Sequence, residues 1–174
     1  MIVIDRGKIS DIDELELLYN DLNYYFECHT NYPGWKKGIY PVRQTAADGI
    51  ECGGLFVARI ENRIVGTVIL RHEPEPAYSQ ADWHVDLSYD DILVVHTLAV
   101  HPLFLKRGVG KKLMGFILEY GKENNIKAIR LDVYEKNKPA INLYKQYGFQ
   151  FIDKVDLGYG HYGLEYFELY QKIL

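Results

Sequence analysis

Hydrophobic residues in the first half of the chain recur at helical spacing and then in short strand-like runs. Five of them share one face of a helix predicted to end near residue 30: Leu15, Leu18, Tyr19, Leu22 and Phe26. A second, weaker helix is predicted at about 42–52. Residues 55–60 and 64–70 form two apolar runs, and the polar Glu61-Asn62-Arg63 between them predicts a hairpin.

The second half alternates strand and helix patterns after a polar segment. Residues 73–89 contain two prolines and no clear period, which predicts a long loop. The nearly continuous apolar run 92–100 is typical of a central strand buried on both faces. The remaining predicted elements are an amphipathic helix from Val109, a strand at 128–133, a helix bracketed by Pro139 and Gly148, and strands at 149–156 and 165–173.

The resulting order, β-α-α-β-β-β-α-β-α-β-β, predicts an α/β fold with a mixed sheet in one domain, residues 1–174. With 174 residues, 48% of them hydrophobic and 25% charged, the chain can build a core without disulfides or a structural metal. Its two cysteines have no ligand-pair spacing, and the six histidines form no metal motif, so we predict no metal site.

Charge and hydropathy exclude several classes of protein. A net charge of −4 argues against a general nucleic-acid surface. No apolar run approaches about 18 residues, so no membrane span is predicted. The first ten residues lack the pattern of a signal peptide, which favours a cytoplasmic location. The basic residues nonetheless cluster at Lys106, Arg107, Lys111 and Lys112, as expected for one small anionic ligand.

The cluster coincides with a glycine loop, Lys106-Arg107-Gly108-Val109-Gly110-Lys111, between the buried strand and a helix. Glycines let the backbone approach a ligand, and a helix start presents unpaired N–H groups, so the loop suits a pyrophosphate. A P-loop is excluded because Leu105 and Lys112 occupy its first Gly and Ser/Thr positions. A Rossmann fingerprint is excluded because Leu113 stands at its third glycine.

Two sequence motifs then point to one family. The first motif has two parts, Leu98-Ala99-Val100-His101-Pro102 and then Arg107-Gly108-Val109-Gly110-Lys111-Lys112-Leu113. The second motif has the pattern N-x-x-A-x-x-L-Y-x-x-x-G-F, and its fixed positions are Asn137, Ala140, Leu143, Tyr144, Gly148 and Phe149. Over residues 92–149 the chain resembles the GNAT superfamily of acyl-CoA-dependent N-acetyltransferases. It departs from the family pattern at Leu105, where an Arg or Gln is usual, and Lys106 and Arg107 stand beside it.

The resemblance implies a fold and a co-substrate. It implies a mostly antiparallel sheet with a splayed central parallel pair and flanking helices. It further implies acetyl-CoA, whose pantetheine arm bonds the backbone of Leu98 and Val100 and is reached by Asn137. The pyrophosphate would rest on the backbone N–H groups of Lys106, Arg107, Gly108, Val109, Gly110 and Lys111.

The implied reaction is direct attack of a primary amine on the thioester. By resemblance, Tyr144 lies against the sulfur and serves as the acid for the departing thiolate. An alkyl amine is mostly protonated at neutral pH, so a base is also required. We favour His96, which lies in the apolar run two residues before Leu98. A neutral buried role for His96 is the alternative, with Asp90 and Asp91 as other candidate carboxylates.

The acceptor is not identified by the sequence. The family places acceptor contacts at two segments that are aromatic here, 24–35 and 159–166. These aromatics suit an apolar or cationic acceptor, and equally a core or a homodimer contact. We predict an N-acetyltransferase acting on a small-molecule amine or a protein amino group. The alternatives are a non-catalytic acyl-CoA-binding sensor or regulatory module, and an enzyme using a longer acyl group or a hydroxyl acceptor.

Overall fold

The secondary structure follows the predicted order throughout. A computed structural model describes all residues, 1–174. Its helices and strands are β1 Val3–Arg6, α1 Ile12–Cys28, α2 Arg43–Glu51, β2 Leu55–Ile60, β3 Arg63–Arg71, β4 Ile92–Val100, α3 Val109–Glu123, β5 Ala128–Tyr134, α4 Lys138–Gln146, β6 Gln150–Val155 and β7 Phe167–Ile173. The predicted hairpin between β2 and β3 is present, and Glu61 and Asn62 form its turn with positive φ angles of 49° and 67°.

The strands form one seven-stranded sheet in the order β1-β2-β3-β4-β5-β7-β6. The pairs β1–β2, β2–β3, β5–β7 and β6–β7 are antiparallel, whereas β4 and β5 are parallel. The parallel register joins Ile92–Val95 to Ala128–Leu131 and ends there, although both strands continue. The mixed, mostly antiparallel sheet with a splayed parallel pair is therefore confirmed.

The chain divides into two compact units. The first unit comprises residues 1–31, 35–70 and 96–117, and the second comprises 32–34, 71–95 and 118–174. In the first unit the apolar face of α1 packs with residues of β2 and β3, including the fully buried Leu15, Leu55 and Ile69. The boundary between the units falls inside β4, after Val95, so residues 92–95 belong to the second unit and residues 96–100 to the first. No helix has the length and apolar character needed to cross a membrane.

The second unit contains the segment 72–91, which includes the predicted polar loop of residues 73–89. The segment forms two single 3-10 turns, Pro76–Gln80 and Tyr89–Asp91. Tyr78 and Trp83 are buried against Ile92, Val94, Ala128 and Leu169. The indole Nε1 of Trp83 donates to the carbonyl of Tyr78 at 2.9 Å. The loop prediction missed this packing because the two aromatic residues follow no helical or strand period.

Candidate functional site

The glycine loop connects β4 to α3 in the first unit. After Val100 the chain makes a 3-10 turn at Pro102–Phe104 and then reverses through two residues with positive φ. Lys106 has φ 60° and Gly108 has φ 82°. A Cβ added at Gly108 would meet no atom within 4 Å, so the backbone there faces open space. A ligand can therefore come close to the main chain at the start of α3.

The first amide groups of this helix have no partner within it. The first hydrogen bond of the helix runs from the Lys112 amide to the Gly108 carbonyl at 2.9 Å. The amides of Val109 and Gly110 precede it and have no intrahelical partner. The side chains of Lys106, Arg107 and Lys111 are exposed around them. The arrangement can bind an anion through backbone N–H groups, the helix dipole and three cations.

A buried histidine supports this loop. His101 is 5% exposed, and its Nδ1 accepts a 3.2 Å hydrogen bond from the Leu103 amide inside the 3-10 turn. Its Nε2 lies 3.2 Å from Oδ2 of Asp21 on α1. From the sequence, His101 is predicted only as part of a motif. Its partner Asp21 is 80 residues away in the chain, so spacing could not reveal the contact.

The second half of β4 carries three of the predicted site residues. His96, Leu98 and Val100 are half-buried, and they alternate with the buried Thr97 and Ala99. Thr97 adopts φ 48°, a left-handed conformation that is unfavourable for a β-branched residue. Its hydroxyl forms a hydrogen bond with the Tyr40 hydroxyl. A strained residue held by its surroundings at this point is characteristic of functional sites.

The other two predicted residues lie on or beside α4 in the second unit. Asn137 caps that helix, because its Oδ1 accepts from the Ala140 amide at 3.4 Å. This leaves its Nδ2 hydrogens without a protein partner. Tyr144 is 7% exposed, and its ring lies 6.0 Å from that of Phe149. No hydrogen bond of the structure engages its hydroxyl, so that proton remains available to a ligand.

The electrostatic surroundings of Tyr144 keep it protonated. Burial raises the pKa of Tyr144 well above its usual value, and the negative charge of Asp132 raises it further. Both causes disfavour the phenolate. At neutral pH the side chain is therefore a hydrogen-bond donor.

Asp132 is a functional candidate that the sequence analysis missed. It lies on β5, where Oδ2 accepts a 2.7 Å hydrogen bond from the Tyr78 hydroxyl. Burial raises the pKa of Asp132 to about 6, while the bond from Tyr78 opposes this shift and the charge of Glu75 adds to it. A carboxyl group that titrates near neutral pH can take up and release a proton. The available signal was a carboxylate inside the apolar strand sequence AIRLDV.

The remaining candidates are distributed over both units. Asp90 is exposed and Asp91 half-buried in the 3-10 turn before β4, where the Asp91 carbonyl accepts from the Lys127 amide at 2.8 Å. In the first unit Phe26, Trp35 and Tyr40 form an edge-to-face aromatic series with ring distances of 6.4 and 5.7 Å. In the second unit Tyr159 packs edge-on against Phe167 at 5.8 Å. The aromatic side chains of each segment therefore pack against other aromatic rings of the same unit.

Comparison with known proteins identifies a family that matches most of this chain. The profile of the acetyltransferase (GNAT) family matches residues 15–149. An uncharacterised N-acetyltransferase of Methanocaldococcus jannaschii is 29% identical over 97 residues, which are 56% of this chain and 39% of that protein. The peptidyl-lysine N-acetyltransferase YiaC of Escherichia coli is 39% identical over 54 residues, 31% of this chain and 34% of that one. The aligned segments thus cover less than half the length of either relative.

Solved structures share the fold over nearly the whole chain. A GNAT-family acetyltransferase from Streptococcus agalactiae superposes with a TM-score of 0.79 at 21% identity, covering 99% of this chain and 95% of the other. The ribosomal-protein-S18-alanine N-acetyltransferase of Escherichia coli superposes with a TM-score of 0.71 at 16% identity, with coverages of 99% and 94%. At these identities the likeness describes the fold alone.

Proposed function

Since this chain belongs to the acetyltransferase (GNAT) family, an acyltransferase family that uses acyl-CoA, we propose that it transfers an acetyl group from acetyl-CoA to a primary amine. The main support for the proposal comes from the residues at the start of α3. There, unpaired backbone amides, an open Gly108 and three exposed cations lie close together in the chain, after the 3-10 turn that follows β4, and this supports an anion site. The pyrophosphate of CoA is the ligand that this site would hold.

The residues of β4 and α4 have proposed roles toward the rest of the co-substrate. Leu98 and Val100 would hydrogen-bond the pantetheine arm through their backbone groups. Asn137 would reach the same arm with its Nδ2 hydrogens, which the helix cap leaves without a protein partner. The side-chain packing of Tyr144 supports a fixed direction for its hydroxyl, which would meet the thioester sulfur.

The proposed chemistry is a direct transfer with one proton leaving and one arriving. The amine nitrogen attacks the thioester carbonyl carbon, the new C–N bond forms, and the C–S bond breaks. The thiolate leaves with the electron pair of that bond. Tyr144 donates its hydroxyl hydrogen toward the sulfur, which is consistent with a pKa that keeps the phenol protonated.

Two groups are candidates for the base that deprotonates the amine. His96 is half-buried on β4, and an imidazole ordinarily titrates near pH 6.5. Asp132 is the second candidate, because burial raises its pKa to about 6 and it is close enough to influence the pKa of Tyr144. We propose His96 as the base and retain Asp132 as the rival that kinetic variants must exclude.

The acceptor is proposed only as a class, a primary amine on a small molecule or on a protein. YiaC, by its name, modifies peptidyl-lysine, and the Escherichia coli structural neighbour modifies the alanine of ribosomal protein S18. Both are amino groups of proteins. The aromatic side chains of 24–35 and 159–166 would equally accept a small cationic or apolar amine.

Two measurements test the proposal in order. Acetyl-CoA at about 100 times its Kd should add roughly 2.7 kcal/mol of stability, a rise in Tm of about 5–10 °C for a chain of this size. CoA release is then followed with a panel of small amines and lysine peptides. A thermal shift without release from any amine would favour the non-catalytic acyl-CoA-binding module. No thermal shift at millimolar acetyl-CoA would contradict both functions.

A further inference from the structure

The segment 72–91 leaves a cavity where it folds over β5 in the second unit. The cavity has a volume of about 690 Å³. Its lining is mixed. Aromatic and aliphatic side chains come from Tyr78, Ala81, Trp83, Val85, Leu87 and Tyr89, and polar or charged ones from Ser79, Asp82, His84, Asp86 and Arg130. Tyr78 also bonds Asp132, the rival candidate for the base, whereas the other lining residues have no role in the acetyl transfer proposed above.

Arg130 is held rigidly at this cavity by neutral partners. Its side chain is nearly buried, with 3% exposure. The Nε–H donates to Oε1 of Gln171 at 2.8 Å, and Nη1 donates to the Tyr89 hydroxyl at 3.1 Å. The guanidinium also lies 4.1 Å from the centre of the Trp83 ring. Gln171 is itself fixed, because its Nε2 donates to the Trp83 carbonyl at 3.0 Å.

The positive charge of Arg130 has no counter-charge in the protein. No carboxylate oxygen lies within 4.0 Å of its guanidinium, and none of the ion pairs of the structure includes it. Asp132, two residues further along β5, bonds Tyr78 instead. The Nη2 group makes no hydrogen bond. A buried arginine is ordinarily paired with an anion, because burial of an isolated charge is costly.

The rim of the cavity restricts which anion fits. Asp82 and Asp86 are exposed at the rim, together with His84, whose amide donates to Oδ1 of Asp82 at 2.8 Å. Two rim carboxylates repel a di- or trianion more than a monoanion. The rings of Trp83 and Tyr89, which both contact Arg130, favour a flat apolar body next to the anionic group.

We propose that this cavity is a binding site for a monocarboxylate attached to a flat apolar group. The carboxylate would accept hydrogen bonds from the N–H groups of Arg130 that have no partner in the protein, on Nη2 and the second hydrogen of Nη1. The planar guanidinium presents these groups side by side to the two carboxylate oxygens. The apolar body would lie against Trp83 and Tyr89. The proposed binding site does not depend on the proposed acetyl transfer, and it is tested separately.

Trp83 serves as the reporter for a direct test. Trp35→Phe leaves Trp83 as the single tryptophan of the full chain. Sodium benzoate is titrated at constant ionic strength, and Trp83 fluorescence is recorded. Benzamide, which has the same ring without the charge, and sodium phosphate, which has charge without a ring, are titrated in parallel. We expect a saturable response to benzoate, with the other two at least about tenfold weaker.

Two variants then assign the response to Arg130. Arg130→Gln should weaken benzoate about tenfold or more, whereas Lys136→Gln, which removes an exposed charge outside the cavity, should leave its binding unchanged. If Arg130→Gln does not fold, Val85→Glu keeps Arg130 and places a carboxylate on the cavity wall at an exposed position. That variant should lose the benzoate response. Equal binding of benzamide and benzoate, or an unchanged response in Val85→Glu, would overturn the proposal.

Discussion

The Tyr78 hydroxyl donates a hydrogen bond of 2.7 Å to Oδ2 of Asp132. This bond connects the segment 72–91 to the face of β5 and lowers the pKa of Asp132. Burial outweighs it, because the pKa of Asp132 still rises from 3.8 to about 6. The native protein therefore holds a proton on this carboxyl group more tightly than the unfolded chain does.

This pKa shift predicts an unusual dependence of stability on pH. Because the pKa of Asp132 is raised on folding, its contribution to stability is fully present below about pH 4 and is lost as pH rises to about 6. Asp132→Asn removes the charge and keeps an oxygen to accept from Tyr78. We expect it to raise the free energy of unfolding by about 1–3 kcal/mol near pH 7.5, and by little near pH 4.

Urea unfolding at the two pH values measures this difference. Tyr78→Phe is the companion variant, because loss of the hydroxyl should raise the pKa of Asp132 further, as followed by carbon-13 NMR of the carboxyl group. An Asp132→Asn protein that is no more stable than the wild type near pH 7.5 would contradict the argument.

The identity of the base is decided by the pH dependence of the rate. If His96 deprotonates the amine, His96→Ala should lower kcat by about 10²-fold or more and remove the acidic limb of the kcat/KM profile. The Kd for acetyl-CoA should stay unchanged. Asp132→Asn is run beside it over the same pH range. An acidic limb that persists in His96→Ala and disappears in Asp132→Asn would transfer the role to Asp132.

Tyr144 offers a clean separation of chemistry from folding. Tyr144→Phe keeps the ring that packs 6.0 Å from Phe149 and removes only a hydroxyl that makes no hydrogen bond in the structure. We expect Tm and acetyl-CoA affinity to change little, while kcat falls by about 10- to 100-fold because the departing thiolate loses its donor. Tyr147→Phe, on the residue that follows α4, is the matched control. Equal loss of kcat in the two variants would exclude a specific role for Tyr144.

Most of the fold could be predicted because the pattern of apolar and polar residues in most elements reflects how they are buried. The apolar run of β4 and the hairpin at Glu61-Asn62 are examples, and both are present as predicted. The packing of Tyr78 and Trp83 was not predicted, since two isolated aromatics in a polar segment carry no periodic signal. Their burial depends on the surface that β4, β5 and β7 offer once the sheet has formed.

The site could be predicted only as far as it is local in sequence. Gly108 and the cations beside it follow one another along the chain, so their common position at a helix start follows from the sequence itself. Asp132 and Arg130 differ in this respect. Their partners Tyr78 and Tyr89 are 54 and 41 residues away, and both charged residues look like interruptions of a strand until those contacts are known.

The cations of the glycine loop should act on the phosphates of the co-substrate and not on its pantetheine arm. Arg107→Gln and Lys111→Gln are each expected to weaken CoA by about three- to tenfold, because each removes one exposed charge next to the helix start. Pantetheine, which lacks the pyrophosphate, should bind the variants and the wild type equally. Calorimetric titration at two salt concentrations measures both ligands, and the difference for CoA should shrink at high salt. Lys122→Gln, in the last turn of the same helix, controls for net charge. Equal losses for CoA and pantetheine would mean that Arg107 and Lys111 maintain the loop itself, and that the backbone amides hold the phosphates alone.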